Sequence, residues 1–232
     1  MPISGHTLPD TLEVNLSGPK VSLVVMSSSL PKQSLVTLDV EGVLTPEIWI
    51  AVAEKTGIAE LRRTTKDEPD YAKLMEERLS VLAQHGIRLG DIQSVISGLA
   101  PLSGAREFLD ELRSRVQVVL LSDTFEQFAA PLMAQLGQPT ILCHRLDVDD
   151  EDRIVAYQAR IEDPKLRAVT AFKGLNYRVV AAGDSYNDIS MLKAADDGFL
   201  FRSPVTVQEE FPQFPALEDY SDLLDHLIRS LT

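Results

Sequence analysis

In Ser34-Leu35-Val36-Thr37-Leu38-Asp39-Val40-Glu41-Gly42-Val43, a short apolar run breaks off at two carboxylates and a glycine. Leu35 to Leu38 are apolar or β-branched and predict a buried strand. Two later stretches have the same form. The apolar run Val116 to Leu121 ends at Ser122-Asp123, and Arg178 to Ala182 ends at Gly183-Asp184. Helical spacing fills the intervals: one helix runs through Phe108, Leu109 and Leu112, a second through Phe125, Phe128, Leu132 and Leu136, a third follows Pro164, and a fourth begins at Asn187. Thr140 to Leu142 and Ile154 to Tyr157 add short strands. Apolar strands separated by helices predict an α/β fold with a central parallel sheet covered on both faces. Such sheets bind ligands beyond the carboxyl ends of their strands, where these polar residues fall.

Working outward from the first strand, residues 45–100 carry helical spacing and no strand pattern. Pro46 sits in a first turn, Ile48, Trp49, Val52 and Ala53 share a face, and Gly57 ends that helix. A second helix spans about Asp70 to His85 with Leu74, Met75, Leu79 and Leu82 inward, and a third starts near Gly90 with Ile92, Val95 and Ile96. A helical insertion directly after the first strand predicts a cover over the site. Residues 34–44 and 101–232 then form the core. Residues 1–33, rich in turn formers, read as a mobile extension in which Val21 to Met26 offers an edge strand.

The 232 residues are 44% hydrophobic and 25% charged, as expected of a globular chain with a sizeable core. With 35 acidic against 22 basic residues the net charge is -13, which disfavours nucleic acid and anionic membrane surfaces as partners. One cysteine and no long apolar stretch lead to the expectation of a reduced, cytoplasmic protein. The acidic run Asp147 to Asp152 fails as a calcium loop, having Asp152 where glycine is needed, and reads as a solvated hairpin turn. Cys143 and His144 have no companions for a zinc site, and Cys143 reads as a core thiol.

If their strands are neighbours, Asp39, Glu41, Ser122, Asp184 and Asp188 converge at one rim, with a lysine from the region Ile161 to Lys173 nearby. Carboxylates that close need a cation, and an all-oxygen donor set suits Mg²⁺, which in turn suits a phosphate. A strand-end carboxylate beside Mg²⁺ is placed to attack phosphorus and form an aspartyl phosphate. The competing readings are ordinary ones. Asp39 and Glu41 fit a solvated turn, Ser122 a helix N-cap, Lys165 a surface lysine, and Glu47 and Arg78 a solvated helix face.

The order Asp39-Val40-Glu41-Gly42-Val43, Ser122, lysine, Gly183-Asp184-Ser185-Tyr186-Asn187-Asp188 resembles the motif set of the haloacid dehalogenase superfamily of phosphatases and phosphotransferases. The resemblance covers residues 34 to about 200 and implies a Rossmann-like core with a small helical cap. Its third motif is a single lysine; Lys165, after Asp163-Pro164, is preferred, and Lys173 stays open. Glu41, where most of the superfamily has Asp, together with Ser122-Asp123-Thr124-Phe125, is similar to a bacterial branch that joins phosphoserine phosphatase to phosphoserine:homoserine phosphotransferase activity. The likeness implies Asp39 as nucleophile and Glu41 as acid and base, with L-phosphoserine as donor and water or L-homoserine as acceptor. It implies Mg²⁺ on Asp39, Asp184 and the backbone carbonyl of Glu41, with Asp188 behind them. It implies substrate contacts from Glu47, Arg78, Ser122, Asp123, Lys165 and Asn187. A phosphatase for another small phosphomonoester is the nearer rival. A non-enzymatic phospho-acceptor module, similar to response-regulator receivers, is the remoter one, disfavoured by the helical insert and the Gly183 to Asp188 motif.

Overall fold

A computed structural model describes residues 32–65, 67–68 and 70–231. Most of the N-terminal extension, with its edge-strand candidate Val21 to Met26, lies outside the described residues. The strands are β1 (Gln33–Leu38), β2 (Gln117–Phe125), β3 (Ile141–Val148), β4 (Ile154–Gln158), β5 (Tyr177–Gly183), β6 (Asp197–Phe201) and β7 (Ala216–Leu217). They form one sheet in the order β4-β3-β2-β1-β5-β6-β7. Pairs β1/β2, β2/β3, β5/β6 and β6/β7 are parallel, and β3/β4 is an antiparallel hairpin. Because β1 lies between β2 and β5, the three strands that end in polar residues are neighbours.

Alternation along these strands accounts for two cores. Val36, Leu38, Val180 and Ala182 belong to one buried cluster, and Leu35, Val179 and Ala181 to the other. Successive strand side chains point to opposite faces, so a run with no polar alternation is buried on both. The first cluster takes in α4 (Ala105–Arg113), α5 (Glu126–Gln135) and α9 (Tyr220–Arg229) through Phe108, Leu109, Phe128, Leu132, Leu223 and Leu227. It also takes in Val52, Met75 and Ile92 from α1 (Ile48–Thr56), α2 (Tyr71–His85) and α3 (Leu89–Ser97). The second is closed by α6 (Pro164–Gly174), α7 (Ile189–Ala194) and α8 (Val205–Glu210).

Helix ends follow local chemistry. Gly57 and Gly86 terminate α1 and α2 in the left-handed conformation, and the Asp70 carboxylate accepts the Ala72 and Lys73 N–H groups at the start of α2. The acidic run makes the β3–β4 turn, where Asp149 Oδ1 accepts from Glu151 N and Arg153 N. Asp152 reaches back to α3, its Oδ2 accepting the Gly90 N–H at 2.8 Å and its carbonyl the Leu89 N–H at 3.0 Å.

Several boundaries differ from the sequence expectation. Strand β2 continues to Phe125, so Phe125 ends a strand instead of sitting within a helix, and the N-cap of α5 is Phe125, not Ser122. Strand β3 is eight residues long, because the hairpin with β4 supplies a partner that three apolar letters do not announce. A short 3-10 turn, Tyr186–Asp188, precedes α7. The sequence pattern does not announce β6, α8 and β7; Asp197-Gly198-Phe199-Leu200-Phe201 is brief and contains glycine, and its strand state comes from pairing with β5. Among the described residues no helix is long and apolar enough to cross a membrane.

Candidate active site

Local backbone geometry aims the polar residues. After β1 the chain doubles back: Leu44 and Thr45 N–H groups both bond the Val40 carbonyl, and Gly42 N–H bonds Thr45 O at 2.8 Å. Gly42 has φ +80°, and a Cβ there would stand 2.5 Å from Asp184 Oδ2. Glycine is therefore required twice over, by conformation and by the approach of a carboxylate. Between Leu121 and Phe125, β2 takes four steps while β3 takes two, from Leu142 to His144. That bulge lifts Ser122-Asp123-Thr124 out of the ladder and re-aims their side chains, a common device beside active sites. At the end of β5, Asp188 Oδ2 accepts the N–H groups of Asp184 at 2.9 Å and Ser185 at 3.2 Å. A side chain on Gly183 would overlap the Asp188 carboxylate.

The structure brings the carboxylates around one buried ammonium. Lys165, only 2% exposed, donates through Nζ to Asp39 Oδ1 at 2.8 Å and Asp188 Oδ1 at 2.6 Å, and its Nζ stands 3.6 Å from Asp123 Oδ2. Lys173 is elsewhere, on Ala194 O and Asp196. Asp39, Asp184 and Asp188 each offer an oxygen within 4.8 Å of the others. Burial, then Asp188, raise the Asp39 carboxyl well above its ordinary value against the pull of Lys165, and burial with Asp188 and Glu47 pushes Asp184 up to about 7. Such a cluster holds more negative charge than one ammonium balances. Hard oxygen donors without nitrogen or sulfur fit Mg²⁺. Both oxygens of Asp188 are already committed, to Lys165 and to two backbone N–H groups, which leaves Asp39 and Asp184 as the outward donors.

Glu41 occupies a different wall. Its Oε2 accepts the Ile48 N–H at 2.9 Å, tying the loop after β1 to the first turn of α1. Burial, and then Glu47, push its carboxyl up to about 7, where a group both gives and takes a proton at neutral pH. Asp123 behaves oppositely: despite burial, Lys165, His144 and Asn187 hold it well below the usual carboxylate range. Asn187 Nδ2 donates to Asp123 Oδ2 at 2.7 Å, and Ser122 Oγ accepts the Thr124 N–H at 3.2 Å.

A cleft of about 640 Å³, counted to its open mouth, is lined by Asp39, Glu41, Ser122, Asp123, Asp184 and Asn187 from the sheet side and by Glu47 and Arg78 opposite. Trp49, Thr64, Thr65, Tyr71, Thr124 and Ser185, none of them marked as a site residue by the sequence, line it too. Trp49, on the inward face of α1, also carries the Arg78 guanidinium 4.6 Å over its ring. Arg78 is 6% exposed, its Nη2 donates to the Arg63 carbonyl at 2.8 Å, and its Nε has no hydrogen-bond partner among the described residues. Tyr71, the first residue of α2, donates its hydroxyl to the Asp123 carbonyl at 2.7 Å. Spacing alone marked the start of that helix but gave no sign of which first-turn side chain would cross to the sheet.

The sequence model of the haloacid dehalogenase-like hydrolases matches residues 34–196. The chain is 60% identical over 193 residues to a protein of Pseudomonas aeruginosa named phosphoserine phosphatase ThrH, covering 83% of this chain and 94% of that one. It is also 60% identical over 193 residues to a phosphoserine phosphatase of Pseudomonas syringae pv. tomato, covering 83% and 81%. A solved structure described as a phospho-aspartyl intermediate analogue of phosphoserine phosphatase superposes with a TM-score of 0.70 at 21% identity, over 84% of this chain and 99% of that one, a likeness of fold. With the family model spanning β1 through the Gly183 to Asp188 motif, the chain belongs to the haloacid dehalogenase-like hydrolases.

Proposed function

We propose that this protein is a Mg²⁺-dependent phosphoserine phosphatase that also transfers the phosphoryl group to homoserine, with Asp39 as nucleophile. The observation that carries the reading is one cleft holding two kinds of group. At its floor lie Asp39, Ser122 and Asp184, with Lys165 bonded to Asp39 behind them, suited to a phosphate; in its walls lie Glu47 and Arg78, an acid and a base suited to an amino acid's ammonium and carboxylate. The names of the 60% identical relatives support the same substrate.

Asp39, Asp184 and the Glu41 carbonyl would hold the metal, which supplies charge neutralisation at the phosphate oxygens when bound. Asp39 Oδ attacks phosphorus as the bond to the serine oxygen breaks. Glu41, with a carboxyl near 7, gives that oxygen its proton. Lys165 and Ser122 Oγ face the transferred group and offset its charge. Glu41, now ionised, takes the proton of the acceptor hydroxyl as that oxygen attacks the aspartyl phosphate and frees Asp39. Water as acceptor yields phosphate, and homoserine yields phosphohomoserine. Residues 45–100 act as the cap that reads the amino-acid part. A quenched reaction with phosphoserine and Mg²⁺, followed by mass spectrometry of the peptide containing Asp39, tests the mechanism. A phosphoryl group on Asp39, absent in Asp39→Asn, is the expected result; turnover with no phosphorylated Asp39 peptide under any quench overturns it.

A further inference from the structure

The mechanism above gives no role to His144, a buried titratable side chain beside the site. His144, on β3, is 3% exposed and packed between the rings of Tyr71 and Phe125. Its Nδ1 accepts the Arg160 N–H at 3.3 Å, which leaves Nε2 to carry the ring proton. Nε2 faces Asp123 Oδ1 at 3.6 Å. The other oxygen of Asp123 takes Asn187 Nδ2 at 2.7 Å and stands 3.6 Å from Lys165. Asp123 is thus a third carboxylate near an ammonium that already binds Asp39 and Asp188. Were it to swing onto Lys165, it would compete with Asp39 and with the phosphate for that charge.

We infer that His144 is a positioning residue for phosphoryl transfer: its Nε2–H steadies Asp123 at Oδ1 while Asn187 fixes Oδ2, so that Asp123 keeps its 3.6 Å distance from Lys165 and Lys165 stays aimed at Asp39. The β2 bulge makes this possible, since it sets Asp123 beyond the ladder where β3 presents His144. The inference rests on the reading of Asp39 and Lys165 as the phosphoryl site, and not on which phosphoester is the substrate. Outer hydrogen-bond partners of reacting or metal-binding groups commonly matter by 10- to 100-fold.

The test is steady-state kinetics with both L-phosphoserine and an aryl phosphate, at saturating Mg²⁺. His144→Phe should lower kcat by about 10- to 100-fold on both substrates with little change in KM. His144→Gln, whose amide nitrogen reaches about as far as Nε2, should recover most of that loss, and His144→Asn, whose amide is too short, should not. In an Asp123→Asn background, where there is no charge to hold, His144→Phe should cost little more. Should His144→Phe not fold, the contrast of Gln with Asn carries the test. Equal activities for the Gln and Asn variants, or an undiminished His144 effect in the Asp123→Asn background, would overturn the inference. Wild-type protein that cleaves the aryl phosphate but not phosphoserine would overturn the substrate reading and leave the His144 comparison intact.

Discussion

Replacing Asp39 by Asn keeps the side chain's shape and an oxygen for Lys165, and removes the nucleophile. Turnover of phosphoserine should fall by at least about a thousand-fold, while the thermal unfolding curve keeps its cooperative form. Lys165 is different, because three carboxylates depend on it. Lys165→Met leaves Asp39, Asp188 and Asp123 buried without their ammonium, and denaturant unfolding of the metal-free chain should show a loss of about 3–5 kcal/mol. A change under about 1 kcal/mol would mean that the cluster is neutralised by protons rather than by Lys165. At this scale much of the site is legible in the letters. Asp39, Glu41, Ser122 and Asp184 are marked by strand ends and Asp188 by the motif that follows one, and both are local properties. His144 and Tyr71 are not, since what gives them meaning is a neighbour on another element.

Helix α2 shows how an element contributes to the site. Asp70 fixes its start, Tyr71 crosses to the Asp123 carbonyl, and two turns on Arg78 is buried against Trp49 of α1. If Arg78 binds the substrate carboxylate, Arg78→Ala should raise KM for phosphoserine by roughly 10- to 100-fold and leave an aryl phosphate much less affected. Equal losses on both substrates would assign Arg78 to packing. The turn after β5 gives a second element-level prediction. Gly183→Ala forces Asp188 away from the Asp184 and Ser185 N–H groups, so activity should drop together with a loss of about 1–3 kcal/mol in stability. Elements with strong periodicity, such as α2 and α4, were readable in advance. The β2 bulge and the β6–α8–β7 edge were not, because register and pairing are set by partners distant in sequence.

For the whole molecule, the buried acids make stability depend on pH in an unusual sense. Glu41 and Asp184 are pushed from ordinary carboxylate values up to about 7 in the fold. Between about pH 4 and 7 the native chain therefore binds more protons than the unfolded one, and the metal-free fold loses stability as pH rises through that window. The penalty is absent below the unfolded values and complete above pH 7. Thermal melts without metal should show Tm falling from pH 5 to 7, with a shallower fall in Asp184→Asn. Added Mg²⁺ at pH 7 should raise Tm, since a ligand of the native state alone shifts the equilibrium toward it. A metal-free Tm that rises steadily over the same range would contradict this charge assignment.

The proposed chemistry is decided by what happens to the phosphoryl group of phosphoserine. The most direct measurement is phosphorus NMR of the full chain with L-phosphoserine and Mg²⁺, with and without L-homoserine, following inorganic phosphate and phosphohomoserine in one spectrum. The expected spectra show phosphate alone without homoserine, and phosphohomoserine appearing at the expense of phosphate when homoserine is present, with neither formed by Asp39→Asn. A phosphoserine signal that persists unchanged in the presence of folded, Mg²⁺-saturated protein would contradict the proposed chemistry.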